Sequence, residues 1–169
     1  MSCFLLRNSH INCNGGNYSG CYVTASSVVR PELLTVVPAI CCTREDNQTA
    51  IATTVDIPLT AAPFVGVNFS FTPTSTDVVI NKVGVFQIIY STTASSAVGG
   101  IVSIGLRKDG VSIPTTVQGS TIGDAEQTNL TGNYILEVDT VPTIITLYNS
   151  GVNPTIYDNL VLSIFKITQ

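Results

Sequence analysis

Cysteine is the residue type with the most chemistry to offer, and all five cysteines lie in the first quarter of the chain: Cys3, Cys13, Cys21, Cys41 and Cys42. An odd number leaves at least one thiol without an internal partner, which favours intermolecular disulfides or a free thiol. Zinc is the rival interpretation, but no Cys-x-x-Cys or Cys/His pair has ligand spacing. Inert reduced thiols are the third alternative. We predict that these cysteines cross-link neighbouring copies during assembly.

The remaining ionisable residues give little support to catalysis. His10 is the only histidine, so any Ser–His–Asp or Cys–His arrangement would have to recruit it from the N-terminal segment. The acidic residues are spread over separate turns and form no calcium-loop motif, and no glycine-rich phosphate loop follows a strand. Asp124 and Glu126 could contribute to a calcium site, but solvated turns explain them more simply. We predict no enzyme activity, no cofactor and no metal.

The composition excludes some classes of partner. Charged residues make up only 11% of the 169 residues, apolar residues make up 44%, and the net charge is −4. Scattered basic residues in an acidic chain cannot form a phosphate-binding stripe, so we expect no nucleic acid. No apolar run is long enough to span a bilayer, and the N-terminus lacks a signal-peptide pattern, so we expect no membrane contact and no classical secretion. A surface with so few charges favours contacts between subunits.

The stretch 84–93 is the clearest β-strand, because it is dense in β-branched and aromatic residues. Phe86, Ile88 and Tyr90 fall on one face by the period of two, and the other face also carries apolar residues. Such a strand must lie inside a packed β-structure. The run 160–167 and the run 144–148 are apolar on both faces too, which predicts a second buried surface beyond the core of one sandwich. The alternative is that they are central strands with a few exposed aliphatic residues, since much of an ordinary protein surface is apolar.

Short strands and turn signals alternate from residue 67 onward, at the spacing of a sandwich or barrel. Asp109-Gly110 is a strong hairpin signal, because both positions of a two-residue turn need positive φ. Thr131-Gly132 is predicted as another turn. No segment has a helical period, so the fold class is all-β. Besides the central strand we predict strands at 67–71, 78–80, 101–108, 111–117, 133–138, 143–149 and 160–168.

The cysteine distribution predicts the domain organisation. Residues 1–45 are expected to form a Cys-rich connecting arm with too little apolar material for its own core. The charge cluster Arg44-Glu45-Asp46 leads into residues 46–65, where Thr and Ala are frequent and Pro58 and Pro63 follow, a composition typical of a linker. Residues 66–169 form the β-domain. Seven residues are predicted to pack in its core or between subunits: Phe86, Ile88, Tyr90, Leu147, Leu162, Ile164 and Phe165.

Several of these segments resemble known trimeric heads. Gly84–Tyr90 resembles the Gly-x-aromatic-x-apolar-x-Tyr strand of tumour-necrosis-factor (TNF) and complement-type globular heads, and Leu106–Val111 resembles the hairpin that follows it there. Thr131–Val138 with Ile144–Leu147 is similar to a strand pair in the C-terminal head of the exosporium glycoprotein BclA. Leu162–Ile167 is similar to the terminal strand of that head.

The resemblance covers residues 66–169 and implies a TNF-like jelly-roll sandwich that forms a homotrimer through an apolar and aromatic interface. Asp139–Pro142 replaces the Gly-Asp turn usual in the BclA heads, and no collagen-like Gly-x-y tract is present. A tract-free head with cysteines resembles the basal or appendage proteins of the Bacillus spore surface.

The resemblance therefore implies a structural protein of the exosporium layer or of an appendage fibre, exported without a signal peptide and reaching the outside after mother-cell lysis. Its partners would be other copies of itself and further spore-surface proteins such as collagen-like glycoproteins. In that class the N-terminal arm joins trimers to their neighbours. The alternative is a trimeric adhesin that recognises a glycan or a host receptor through loops such as 149–159.

Overall fold

The structure is a computed structural model that describes residues 39–44 and 49–167. Within these ranges it contains ten β-strands and no helix, and therefore no helix long and apolar enough to cross a membrane. The strands are β1 (Ala39–Arg44), β2 (Ala61–Val65), β3 (Phe69–Phe71), β4 (Val78–Ile80), β5 (Gly84–Ser95), β6 (Gly100–Lys108), β7 (Val111–Ile122), β8 (Gln127–Val138), β9 (Thr143–Asn149) and β10 (Ile156–Lys166).

The strands form two five-stranded antiparallel sheets, which confirms the predicted all-β sandwich. The front sheet has the order β2-β1-β10-β5-β8, and the back sheet has the order β3-β4-β9-β6-β7. The central strand of the prediction, β5, pairs with β8 over its whole length and with β10 on its other side. β5 therefore has a neighbouring strand on each edge, which is an environment that β-branched residues favour.

The hydrophobic core lies between the two sheets. Phe86, Ile88 and Tyr90 of β5 all point into it and are at most 1% exposed. The ring of Phe86 meets the ring of Phe69 from the back sheet edge-on, with centroids 5.9 Å apart and an interplanar angle of 80°. This edge-to-face geometry is the one that aromatic pairs prefer, so the contact stabilises the packing of one sheet on the other.

Two buried tyrosines also connect the sheets by hydrogen bonds. The hydroxyl of Tyr157 on β10 donates to the backbone oxygen of Ser103 on β6 over 2.7 Å. The hydroxyl of Tyr90 on β5 donates to the backbone oxygen of Thr116 on β7. Burial raises the pKa of Tyr90 to about 12 and also raises the pKa of Tyr157. Both hydroxyls are therefore protonated donors at neutral pH.

The two predicted turns have opposite outcomes. Asp109 and Gly110 have φ values of 51° and 78°, so they form the predicted two-residue hairpin between β6 and β7. The predicted turn at Thr131-Gly132 is wrong, because both residues lie inside β8. Gly132 pairs with Tyr90, and a Cβ atom at Gly132 would overlap the Tyr90 ring. The glycine is therefore required for side-chain packing within a strand.

The sandwich begins earlier than the predicted boundary at residue 66. β1 is an inner strand of the front sheet, between β2 and β10, although it falls in the predicted arm. Ile57 and Leu59 of the predicted linker are fully buried, and Ile57 N donates to Leu147 O over 2.7 Å. The linker and the last part of the arm are therefore parts of the β-domain, because their apolar residues complete its core. Residues 1–38 of the arm lie outside the described residues.

Candidate interaction surface

The outward side of the front sheet, called the front face from here on, carries most of its apolar residues toward one end of its strands. Phe64 on β2 is 47% exposed and Ile135 on β8 is 51% exposed. The residues between them are half-buried and run across every strand of the sheet. The apolar half of the front face consists of Ala39, Cys41, Phe64, Val85, Ile89, Ile135, Val161 and Phe165.

Strand register places these residues side by side. Phe165 on β10 pairs with Ala39 on β1 and with Gln87 on β5, and Gln87 pairs with Ile135 on β8. In the next row, Cys41 lies between Phe64 and Ser163. Neighbouring residues of one row stand about 5 Å apart on a pleated sheet, so the apolar groups cluster on this face, with Gln87 and Ser163 among them. Patches of this kind mark interaction sites more often than ordinary surface.

The other half of the front face is polar. Toward the end of β5 the outward residues are Ser91 and Thr93, and the paired residues on β8 are Thr131 and Asn129. Hydroxyl and amide groups replace the aliphatic and aromatic side chains of the apolar half. The front face therefore divides along its strands into two regions of different chemistry.

The second apolar side of β9 is covered by the chain itself. Arg107 lies over the ring of Tyr148, with the guanidinium carbon 4.1 Å from the ring centroid. Arg107 also forms an ion pair with Asp56 and donates from Nη2 to Thr54 O over 2.9 Å. The segment before β2 therefore folds over this side of β9 and leaves Tyr148 only 8% exposed. β5 and β10 are also apolar on both sides, but no segment of the described chain folds over their outer side.

The predicted packing residues divide between the core and the front face. Six of them are at most 1% exposed and point into the core: Phe86, Ile88, Tyr90, Leu147, Leu162 and Ile164. Phe165 points outward and is half-buried on the front face. The sequence did not single out every residue of the apolar half. Phe64 on β2 and Ile135 on the outer side of β8 are two that it missed. The alternation of 133–138 was a usable signal, because it placed Ile135 opposite Tyr134 and Leu136.

The adjacent cysteines have different environments. Cys41 is half-buried on the front face, whereas Cys42 is fully buried in the core. Burial, with a smaller contribution from Cys41, raises the pKa of the Cys42 thiol to about 12. The predicted cross-linking role of Cys42 is therefore incompatible with the folded sandwich, because a disulfide needs an accessible thiolate. Cys3, Cys13 and Cys21 lie outside the described residues.

Thiol labelling checks this difference. We expect iodoacetamide to leave Cys42 unmodified in the folded protein and to modify it once the chain is denatured, because only the exposed thiolate reacts. Mass spectrometry of Cys41→Ser and Cys42→Ser variants, which separates the two neighbouring thiols, is the measurement. If the Cys41→Ser variant is labelled at position 42 under native conditions as fast as after denaturation, Cys42 does not have the buried position described here.

The described residues contain no group of three or more His, Cys, Asp or Glu side chains that could hold a metal ion. Glu126, one of the two acidic residues considered for calcium, accepts a hydrogen bond from Gly123 N at 2.8 Å. Its carboxylate therefore closes the turn between β7 and β8. Asp124 lies in the same turn and is exposed.

Comparison with known proteins shows the fold. No family model matches this chain, and no curated protein matches it. The globular domain of zebrafish complement 1qA protein is 14% identical with a TM-score of 0.62, and the match covers 78% of this chain and 98% of that one. Eiger TNF from S. frugiperda is 10% identical with a TM-score of 0.61, covering 79% of this chain and 94% of that one.

Murine APRIL is 9% identical with a TM-score of 0.60, and the match covers 78% of this chain and 99% of that one. The fold is a TNF- and complement-type jelly roll. The sandwich includes β1 and β2, so the part of the chain that has this fold is longer than the predicted 66–169. At these identities the similarity concerns the fold, and the chemistry of the surfaces has to be argued from this chain's own residues.

Proposed function

We propose that this protein is a non-enzymatic structural subunit that self-associates as a homotrimer through the apolar half of the front face. The observation that carries the proposal is the cluster of outward apolar residues to which all five strands of the front sheet contribute. Removing apolar surface from water contributes about 25 cal/mol for each Å², from which the entropic cost of association has to be subtracted. The jelly-roll fold supports the proposal, because the resemblance in sequence and in structure is to heads of this type.

The charges of the front face agree with contact between copies of this chain. No Lys or Arg points outward from its apolar half, and Glu137, exposed on β8, lies at the margin. Copies that meet here therefore bury almost no charge, so the penalty for desolvating ions is small. Gln87 Nε2 donates to Asn133 Oδ1 over 3.2 Å, so these two polar side chains already satisfy part of each other's hydrogen-bonding capacity.

The finer proposal places these trimers on the surface of a bacterial spore, as a building block of the exosporium or of an appendage fibre. The sequence resemblance to BclA-type heads supports this location. The low share of charged residues supports it too, because such a surface favours contacts between subunits. Cys3, Cys13 and Cys21 are the candidates for links between trimers, whereas Cys41 lies within the proposed trimer interface. Collagen-like glycoproteins are candidate neighbours. Labelling intact spores with an antibody against this chain tests the location, and labelling confined to vegetative cells would contradict it.

A charge placed on the front face tests self-association. We expect Ile135→Lys to convert the trimer into folded monomers, because the substitution would bury an unpaired ammonium in the interface. Ile101→Lys is the matched control, since Ile101 is 48% exposed and lies on the back sheet. Light scattering coupled to size exclusion gives the masses, and circular dichroism shows that both variants keep their strands.

Two results would contradict the proposed interface. One is an Ile135→Lys variant that keeps the mass of the wild type. The other is an Ile101→Lys variant that dissociates as completely as Ile135→Lys, which would move the interface to the back sheet.

A further inference from the structure

The polar half of the front face contains an open cavity of about 340 Å³, which we name the polar trough. Its floor is the second half of β5, and its walls are β8 on one side and β10 on the other. The volume lies in the range of small-molecule sites. The trough is lined by Ser91, Thr92, Thr93, Asn129, Thr131 and Asn159.

An irregularity of β10 shapes one wall of the trough. The pairing with β5 shifts between Asp158 and Val161, so that both Asn159 and Leu160 lie opposite Thr92. Asn159 has a φ of 50°, in the left-handed region that asparagine tolerates better than most residues. Leu160 remains fully buried in the core. The bulge therefore keeps the apolar side of β10 in register and directs Asn159 to the surface, as bulges near functional sites do.

The polar groups of the trough are positioned and largely unused. Thr93 Oγ1 donates to Asn129 Oδ1 over 2.9 Å, which orients the amide of Asn129 and leaves its two N–H donors without a partner in the described chain. The side chains of Ser91, Thr131 and Asn159 likewise make no hydrogen bond within residues 39–44 and 49–167. Asp158 pairs with Thr93 of the trough, and its Oδ1 is buried and has no hydrogen-bond partner among the described residues. Donors and acceptors thus face one small space.

The chemistry of the lining selects the class of ligand. The lining has no basic side chain that would hold a phosphate and no apolar side chain that would hold a lipid. It has hydroxyl and amide groups that both donate and accept, which match the hydroxyl groups of a sugar. We propose that the polar trough is a binding site for a neutral saccharide, in which the amide of Asn129 and the hydroxyl of Thr131 contact the sugar.

Binding at one trough is expected to be weak, because the lining has no aromatic ring and each neutral hydrogen bond contributes little net free energy. A millimolar dissociation constant is the order expected. Three troughs on one trimer would raise the avidity for a polysaccharide without any new contact. This gain rests on the proposed self-association, whereas binding of one sugar to one trough does not.

Titration of the full-length chain with methyl glycosides of glucose, galactose, mannose and N-acetylglucosamine tests the site by amide-resolved NMR. We expect at least one sugar to cause saturable shifts at 91–93, 129–131 and 158–159. Asn129→Ala and Thr131→Val should each weaken that binding by about two- to tenfold, the effect of one lost hydrogen bond. Thr121→Val, the same change at an exposed position of the back sheet, should leave it unchanged.

The proposal is overturned if none of the four sugars gives saturable shifts at tens of millimolar. It is also overturned if Asn129→Ala and Thr131→Val bind as the wild type does. Light scattering of the same samples reports the oligomer, so a missing sugar site on an intact trimer contradicts the trough alone and leaves the interface standing.

Discussion

Replacement of Phe86 by alanine is expected to lower the free energy of unfolding by about 3–5 kcal/mol, the usual cost of deleting a buried phenylalanine. Phe86 is fully buried, and its ring is the front-sheet partner in the edge-to-face contact with Phe69. Strand β5 is held by β10 and β8 on its two edges, so the backbone cannot easily close the cavity. Urea denaturation of wild type and variant at one protein concentration measures the difference.

Ile101→Ala is the control for this substitution. Its side chain is 48% exposed, so its loss should change the free energy of unfolding by no more than about 1 kcal/mol. Equal protein concentrations are essential, because association adds to the apparent stability of an oligomer. A Phe86→Ala variant that unfolds within experimental error of the wild type would contradict the core position of this ring.

Asn149→Ala is expected to cost about 2–4 kcal/mol, although it removes almost no apolar contact. Asn149 is fully buried at the end of β9. Its Nδ2 donates to Ile51 O over 2.8 Å and to Asn153 O over 3.0 Å, and its Oδ1 accepts from Gly151 N at 2.8 Å. Alanine would leave these backbone groups without their partner, and a buried polar group without a partner is destabilising.

The matched control is Asn81→Ala. Asn81 Nδ2 also donates a hydrogen bond, to Ser70 Oγ over 2.8 Å, but this pair is exposed and water can replace the lost partner. We expect a change within about 0.5 kcal/mol for this surface position. Thermal unfolding followed by circular dichroism compares the two variants, and equal losses at positions 149 and 81 would show that burial does not set the cost.

The strand pattern could be predicted where alternation or β-branched residues are strong. β4 and β9 have the predicted bounds, and the strand found as β5 is the one from which the prediction started. β1 and β2 were assigned to an arm and a linker, because cysteines, Thr, Ala and Pro63 weaken the β signal there. β1 is a strand because it pairs with β10, more than a hundred residues later in the chain, and β2 in turn pairs with β1. Local propensity does not report pairing at such distances.

Long-range contacts also explain why the sequence predicts the loop 149–159 incorrectly. Asn149 and its neighbours were expected in an open binding loop, since Asn, Ser, Gly and Pro favour turns. The hydrogen bond to Ile51 connects residues 98 positions apart and closes the loop onto the segment before β2. Only Asn159, at the bulge of β10, contributes to the trough that the front face contains.

The front face could be predicted in part. The presence of an apolar outer surface followed from strands that are apolar on both sides. The sequence did not show which of these strands is covered: the second side of β9 lies under Asp56 and Arg107, whereas β5 and β10 have no such cover in the described chain. Phe165 and Ile164 are neighbours in sequence on a strand, so their side chains lie on opposite sides of the sheet. Which side faces the core depends on the second sheet, and no local pattern contains that information.

Sedimentation equilibrium of the full-length chain in excess reductant tests the central claim most directly, because reductant removes any disulfide link and leaves the front face to act alone. We expect the smallest stable species at micromolar concentration to have three times the chain mass of 17.8 kDa. A well-folded species with the mass of one chain under these conditions would contradict the claim that three copies together bury the apolar half of the front face.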